Sequence, residues 1–255
     1  MKQLTIALMV LLWFSLPARA VVHADGEIGG HEYVEIGGKK WATLNVGATS
    51  VADAVPATPQ NGIHCYDNCH FDGTYNCFGT YFKWGETRAN TTPFDGSHYP
   101  TLHKCDKPAL CSAHDAATVQ WGEGWRMPTT VDYISLYEAC GGTGTVTEAI
   151  AALTNDNKDT QGIYWCEEGQ TVAPEYQVGG MLFVQDATHK VFFPAAGGVQ
   201  GTELQDAGGY AYYWTASIET DYTDNACGVF FYSGRLNIQF TNGRCNGSVV
   251  RAVAD

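Results

Sequence analysis

The chain has 255 residues, 27 of them acidic against 14 basic, and nine cysteines, for a net charge of −13. A surface that negative argues against nucleic-acid binding and against anionic membranes, and favours neutral or cationic partners. The length suits one large domain with enough core to fold alone.

Met1-Lys2-Gln3 is followed by an apolar run from Leu4 to Leu16 and then by Ala18-Arg19-Ala20. A short positive start, an apolar stretch too brief to span a bilayer and an A-x-A site describe a secretory signal over residues 1–20. Cleavage there leaves a single domain, 21–255, and removes Lys2 and Arg19, taking the net charge from −13 to −15. The first cysteine is Cys65, too far from the cleavage site for a lipoprotein anchor, and no second apolar run reaches spanning length. The expectation is export to the periplasm, the cell surface or the medium, without membrane insertion after cleavage.

Residues 33–47 read as two short strands around Gly37-Gly38. Residues 48–80 lack helical or strand periodicity, and a Cys-rich loop insertion at about 56–78 carries Cys65, Cys69 and Cys77. A second irregular stretch, 88–113, holds Cys105 and Cys111 as a candidate pair. One helix is clear. Pro128-Thr129 opens it, with Asp132 placed for a capping box, and Val131, Ile134, Leu136 and Tyr137 supply an apolar face as far as Gly141-Gly142. A weaker helix is expected over Thr147–Leu153.

From residue 162 the pattern turns to β. Residues 181–184 and 191–193 form a hairpin that pairs Val184 with Val191 and Phe183 with Phe192, covered on both faces. A last hairpin, 227–232 with 235–240, turns at Ser233-Gly234. Regular pairing puts Cys227, Val229, Phe231, Leu236, Ile238 and Phe240 on a core face. Gly228, Phe230, Tyr232, Arg235, Asn237 and Gln239 fall on the outer one. The expected fold class is therefore α+β, a mixed, mostly antiparallel sheet with one or two helices and long irregular loops.

Candidate chemistry is sparse. His64, Cys65, Cys69, His70 and Cys77 could supply zinc ligands, but the spacing is no standard finger and an exported chain favours disulfides. Cys227 and Cys245 flank the last hairpin, and Cys140 and Cys166 would join the clear helix to the first central strand; both are candidate bridges. Asn155 to Asp159 lacks the glycine and distal glutamate of a calcium loop. No nucleophile elbow or metalloprotease motif occurs. No cofactor or metal is expected.

Several segments taken in order carry a resemblance. They are Lys39-Lys40-Trp41-Ala-Thr-Leu-Asn-Val-Gly-Ala48, Gly79-Thr-Tyr-Phe-Lys-Trp84-Gly-Glu86, Trp121-Gly-Glu-Gly-Trp125-Arg126-Met-Pro128-Thr129, Gly162-Ile-Tyr-Trp165-Cys166, Phe192-Phe-Pro194-Ala-Ala-Gly197, Gly209-Tyr-Ala-Tyr-Tyr-Trp214 and Ser248-Val-Val-Arg251-Ala-Val253. Together they resemble the Fibrobacter succinogenes major paralogous domain family, over about 33–253. The resemblance implies a C-type-lectin-like fold, related to formylglycine-generating enzymes and to retroelement-diversified binding proteins, in secreted or surface proteins that mostly lack an assigned activity. It raises the expectation of a Cys227–Cys245 bond, since lectin-like folds often carry a disulfide near this place. The Cys65–Cys77 insertion departs from the family, as does the Ala after Arg251, and the copper-binding cysteine pair of the related enzymes has no match. Trp121, Trp125, Trp165 and Trp214 read as core aromatics with satisfied indole N–H groups, and Arg126 as a structural partner of carbonyls or a buried acid.

The binding candidate is the polar face of the last hairpin with its loops: Tyr222, Asp224, Tyr232, Arg235, Asn237, Gln239, Asn242, Arg244 and Asn246. Such residues combine rigid amphipathic area with adaptable hydrogen bonding, and the resemblance places ligand faces in the C-terminal part of the fold. The expectation is a non-catalytic binding module for a glycan or an extracellular protein. The alternatives are a polysaccharide-acting hydrolase, or a structural subunit of a surface assembly.

Overall fold

A computed structural model of the chain describes residues 23–48, 74–75, 78–88, 94, 96, 100, 109–173, 176, 178–201 and 203–255. The signal expected at 1–20 lies outside these residues, as do Cys65, Cys69, Cys77 and Cys105.

Strands β1 (Gly26–Ile28), β2 (His31–Ile36) and β3 (Lys39–Asn45) come first. Gly37 and Gly38 both hold positive φ, 61° and 71°, as a two-residue hairpin turn requires, so the expected hairpin forms. Two-residue strands β4 (Thr74–Tyr75) and β5 (Gly79–Thr80) follow, then a short helix α1 (Ala116–Trp121) capped by Asp115. Helix α2 (Thr130–Ala139) starts at the expected capping box: Thr129 Oγ1 accepts from the Asp132 amide, and the Asp132 carboxylate accepts from the Thr129 amide at 2.7 Å. It ends before Gly141, which takes φ 82°. The buried set is Asp132, Tyr133, Leu136 and Tyr137. Val131, expected on the apolar face, falls outside that three-and-four spacing and is 69% exposed.

The helix expected over 147–153 does not form. Ala149 takes φ 58°, outside any helix, and the segment supplies β6 (Val146–Glu148) and β7 (Ala151–Ala152) instead. The rest of the chain is β8 (Gly162–Cys166), β9 (Gly180–Val184), β10 (Lys190–Pro194), β11 (Gly198–Gln200), β12 (Glu203–Gln205), β13 (Tyr210–Trp214), β14 (Asn225–Tyr232), β15 (Arg235–Gly243) and β16 (Arg251–Ala254).

Among the described residues these strands make three four-stranded sheets, ordered β1-β2-β3-β16, β10-β9-β8-β7 and β13-β14-β15-β6, with β11-β12 and β4-β5 as small pairs. All ladders are antiparallel except β7 with β8, so the architecture is α+β with few helices. One core, centred on Trp41, Tyr133, Phe193, Tyr213 and Phe231, is shared by α2 and the three large sheets. A second gathers Phe82, Trp84, Trp125 and Trp214. The indoles of Trp84, Trp125 and Trp214 donate to the carbonyls of Thr215, Ile28 and Phe82. Trp121 is only half-buried and stacks on His31 at 3.9 Å, and the Trp165 indole nitrogen has no hydrogen-bond partner, so those two depart from the expectation.

Two registers correct the sequence reading. In β9–β10 both faces are buried as expected, but Val184 pairs with Lys190 and Phe183 with Val191. The Gln185 amide bonds the His189 carbonyl, and the Asp186 carboxylate accepts from the Thr188 and His189 amides at 2.9 Å. This turn draws His189 into the loop and shifts the pairing by one. In β14–β15 a bulge places Ile238 and Gln239 together opposite Val229.

Two cysteine pairings are corrected too. Cys140, Cys166, Cys227 and Cys245 form no disulfide. Gln161, just before β8, donates to the Ala139 carbonyl at the end of α2; Cys166 lies at the far end of that strand, five residues on at roughly 3.3 Å each, beyond the ~7 Å Cα span of a disulfide. The β14–β15 ladder runs on to Asn225–Gly243, two pairs past Cys227, so the strand carries Cys245 away from it. Burial pushes the Cys140 thiol up to about 12, and burial with Glu219 nearby pushes Cys227 up to about 11, which leaves both thiols unreactive. Cys111 is disulfide-bonded, and none of those four is its partner.

Arg251 is 1% exposed and ties the layers together. Its Nε donates to Asn45 Oδ1, and its two terminal nitrogens donate to the Ala42 and Phe192 carbonyls, all at 2.8 Å. The guanidinium also lies 4.6 Å from the centre of the Phe193 ring. Replacing it with Met should leave these acceptors unpaired and cost about 3–5 kcal/mol. Lys, a single point donor, should recover less than half of that. Denaturant unfolding of the two variants checks this.

Arg126, as expected, bonds a buried acid: both Asp132 oxygens, at 2.7 and 3.0 Å, and Asp255 at 2.9 Å. Burial alone would raise the Asp132 carboxyl, but the bonds from Arg126 and Thr129 outweigh it and hold it below its ordinary value. Arg126 and Lys39 hold Asp255 down to about 2. Both folded-state values lie below the unfolded carboxylate value near 4, so this stabilisation should be present above pH ~4 and be lost as pH falls towards ~2. Unfolding free energies measured across that range should fall more steeply for the parent than for Arg126→Met.

Candidate functional site

The last hairpin presents two unlike faces because its first stretch alternates regularly. Leu236 and Ile238 face the core with Phe231 and Val229, and Arg235 and Asn237 lie opposite Tyr232 and Phe230 on the outer side. The bulge then adds one residue to β15 alone. Phe240, expected in the core, comes to the outer face opposite Gly228, and Asn242 follows it there.

This displacement completes an aromatic row. Phe230 lies 5.1 Å from Tyr212, 5.2 Å from Phe240, 5.7 Å from Tyr232 and 6.0 Å from Tyr210. Tyr210 and Tyr212 come from β13 and keep step because Tyr212 pairs with Phe230 and Tyr210 with Tyr232. By strand alternation Trp214 is next on that face, but there the second core covers it. The five remaining rings are half-buried or exposed, Tyr210 being 39% exposed. Burial, with Asp206 and Tyr210 nearby, pushes the Tyr212 hydroxyl up.

At one end the row descends into a cleft of about 280 Å³. Its lining joins Tyr212 and Phe240 to Asn242 and Asn246, from β15 and the turn after it, and to Gln200, Gln205 and Asp206, from the β11–β12 hairpin and the turn that follows. Gly198 is required here, since a Cβ would stand 2.9 Å from the Tyr212 ring. Asn242 Oδ1 accepts from Asn246 Nδ2 at 2.7 Å and from the Gly243 amide at 2.9 Å, so Nδ2 of Asn242 stays uncommitted.

Of the nine residues expected in the site, the structure puts Tyr232 in the row and Asn242 and Asn246 in the cleft. Arg235 and Asn237 flank the row. Arg235 stands 3.8 Å from Glu148, and Asn237 Oδ1 accepts from the Gln239 amide in the bulge. Gln239 is exposed there. Tyr222 and Asp224 sit in the exposed loop before β14, outside the cleft lining. Arg244 is a correction: it is 5% exposed and donates to the Thr223 and Pro100 carbonyls at 2.8 and 2.7 Å, so it pins loops and is not offered to a ligand. Sequence reasoning missed Tyr210, Tyr212, Phe240, Gln200, Gln205 and Asp206. The Tyr210-Ala-Tyr212-Tyr-Trp214 alternation was the available signal.

Other candidate ligands are occupied structurally. Asn157 bonds the Thr154 amide and the Ala152 carbonyl, and Asp159 pairs with Lys158 and Lys190. Among the described residues no group of His, Cys, Asp or Glu is arranged to hold a metal ion, and no helix is long and apolar enough to cross a membrane. The histidine–cysteine cluster of the insertion lies outside those residues.

No family model, no curated protein and no solved structure matches the chain.

Arg244→Ala should lower stability by roughly 2–4 kcal/mol through two lost charge-assisted bonds, one of them to the buried Pro100 carbonyl. Tyr222→Ala, at an exposed loop position, should stay within about 0.5 kcal/mol of the parent. Thermal melts of the two variants separate the structural residue from the surface one.

Proposed function

We propose that the chain is a non-catalytic binding module that holds a glycan on the outer face of β13–β14–β15. The observation that carries this reading is the row of five aromatic rings, four of them gathered around Phe230, left open on a sheet face that the core does not need. Apolar ring faces suit the C–H faces of sugars, and the amides at the row's end suit hydroxyl groups. The C-type-lectin-like fold and the kinship with the Fibrobacter paralogous family remain part of the proposal, as does export with removal of residues 1–20. The α+β architecture and the C-terminal position of the row agree with them. A glycan is favoured over a protein partner because the row ends in a sugar-sized cleft instead of broadening into a flat apolar patch. The hydrolase alternative requires two carboxylates across a bond, whereas among the described residues Asp206 is the one carboxylate lining the cleft.

Phe230→Ala removes the ring that touches the other four. It should weaken retention by immobilised polysaccharide about tenfold, equivalent to ~1.4 kcal/mol, while the variant stays folded. Affinity electrophoresis against a series of plant and microbial polysaccharides reads this. Parent-like retention of a folded Phe230→Ala variant would rule the row out.

A further inference from the structure

Resting on that reading, we infer that the cleft at the end of the aromatic row selects a non-anionic sugar, with Asp206 as the residue that sets this selectivity. The cleft is asymmetric in its hydrogen-bonding character. Asn242 offers an uncommitted N–H group to it, because its oxygen is already used by Asn246 and Gly243. Asp206, in the same lining, offers only acceptor oxygens. A sugar ring presents hydroxyls that both donate and accept, so it can satisfy both kinds of group. An ammonium group in place of one hydroxyl would satisfy Asp206 equally well. A carboxylate or sulfate could not, since it has no proton to donate and carries the same charge.

Asp206 is held where this matters. It takes a left-handed backbone conformation, φ 61°, which Asp and Asn tolerate better than other side chains. Its carbonyl accepts from the Gly209 and Tyr210 amides at 3.2 and 2.9 Å, which locks the loop to the head of β13. The carboxylate is exposed, lines the cleft and lies close enough to influence the Tyr212 hydroxyl. Among the described residues no Lys, Arg or His lines the cleft to offset it. Arg235, the cation of this face, sits on the far flank of the row beside Glu148. The overall charge of the chain, −13, acts in the same direction, so the local contribution has to be isolated by substitution.

The experiment is titration calorimetry of the full-length exported protein with hexasaccharides of glucose, mannose, galactose, xylose, glucosamine and galacturonate, on the parent, Asp206→Asn and Phe230→Ala. Asn accepts the same backbone conformation, so the first variant should melt like the parent. The parent should bind at least one neutral sugar, and bind galacturonate about fivefold to tenfold more weakly than that sugar, as one like charge near contact distance in water implies. Asp206→Asn should bring the galacturonate affinity to within about twofold to threefold of that variant's own affinity for the neutral sugar, so the readout is the ratio of the two. If galacturonate binds the parent as well as the best neutral sugar, or if the gap persists in Asp206→Asn, the selectivity inference is overturned while the binding face stands. If no hexasaccharide binds, or if binding survives Phe230→Ala unchanged, the face itself is wrong and the inference falls with it.

Discussion

A buried cation without a carboxylate organises this fold. Arg251 arrives on the final strand and is satisfied by one amide oxygen and two carbonyls drawn from β3 and β10. Burial pushes its guanidinium below the usual arginine value, yet an arginine has no accessible neutral form, so these acceptors must be present whenever the chain is folded. The requirement spreads outward. Asn45, once it accepts from Arg251, turns its amide nitrogen to the Phe78 carbonyl and the Tyr213 hydroxyl, and Tyr213 donates to the Pro194 carbonyl. One charge thus fixes the relative placement of all three large sheets. Tyr213 is the inward neighbour of Tyr212, so the aromatic row outside is seated on a strand that the arginine holds from within.

Local chemistry was the legible part of this fold. The capping box at Thr129 and Asp132, the Gly37-Gly38 turn and the two-sided burial of β9–β10 each depend on residues close together in the chain, and each formed as read. What failed depended on information outside the segment. The alanines at 149–152 have good helical propensity, but β15 and β8 offer strand partners, and tertiary pairing wins. The β9–β10 register slipped because a single carboxylate, Asp186, captures two amides and absorbs His189 into the turn. The Cys140–Cys166 and Cys227–Cys245 expectations failed because cysteine count and compartment do not encode distance.

The site was half legible for the same reason. Tyr232, Arg235 and Asn237 follow from simple alternation across a short turn. Phe240 does not, because the bulge has no signal in the β15 sequence itself. Tyr210 and Tyr212 alternate plainly, but that pattern is shared by strands whose outer face is covered, as Trp214 on the same strand is. Asp206 was invisible because the importance of a loop acid depends on which cleft the loop closes.

The bulge at Gln239 has one more consequence. A strand with one extra residue changes phase, so odd-numbered positions of β15 face outward before the bulge and even-numbered positions after it. One continuous segment thereby sends Leu236 and Ile238 inward and Phe240 and Asn242 outward. Substitution at Phe240 or Asn242 alters the chemistry the face presents without touching that phase. Insertion of a single residue between Asn237 and Phe240 would instead turn the downstream half over, driving Thr241 out and the aromatic and amide inward. Such a surface can diversify freely by exchange of side chains, but its chain length through this strand is fixed.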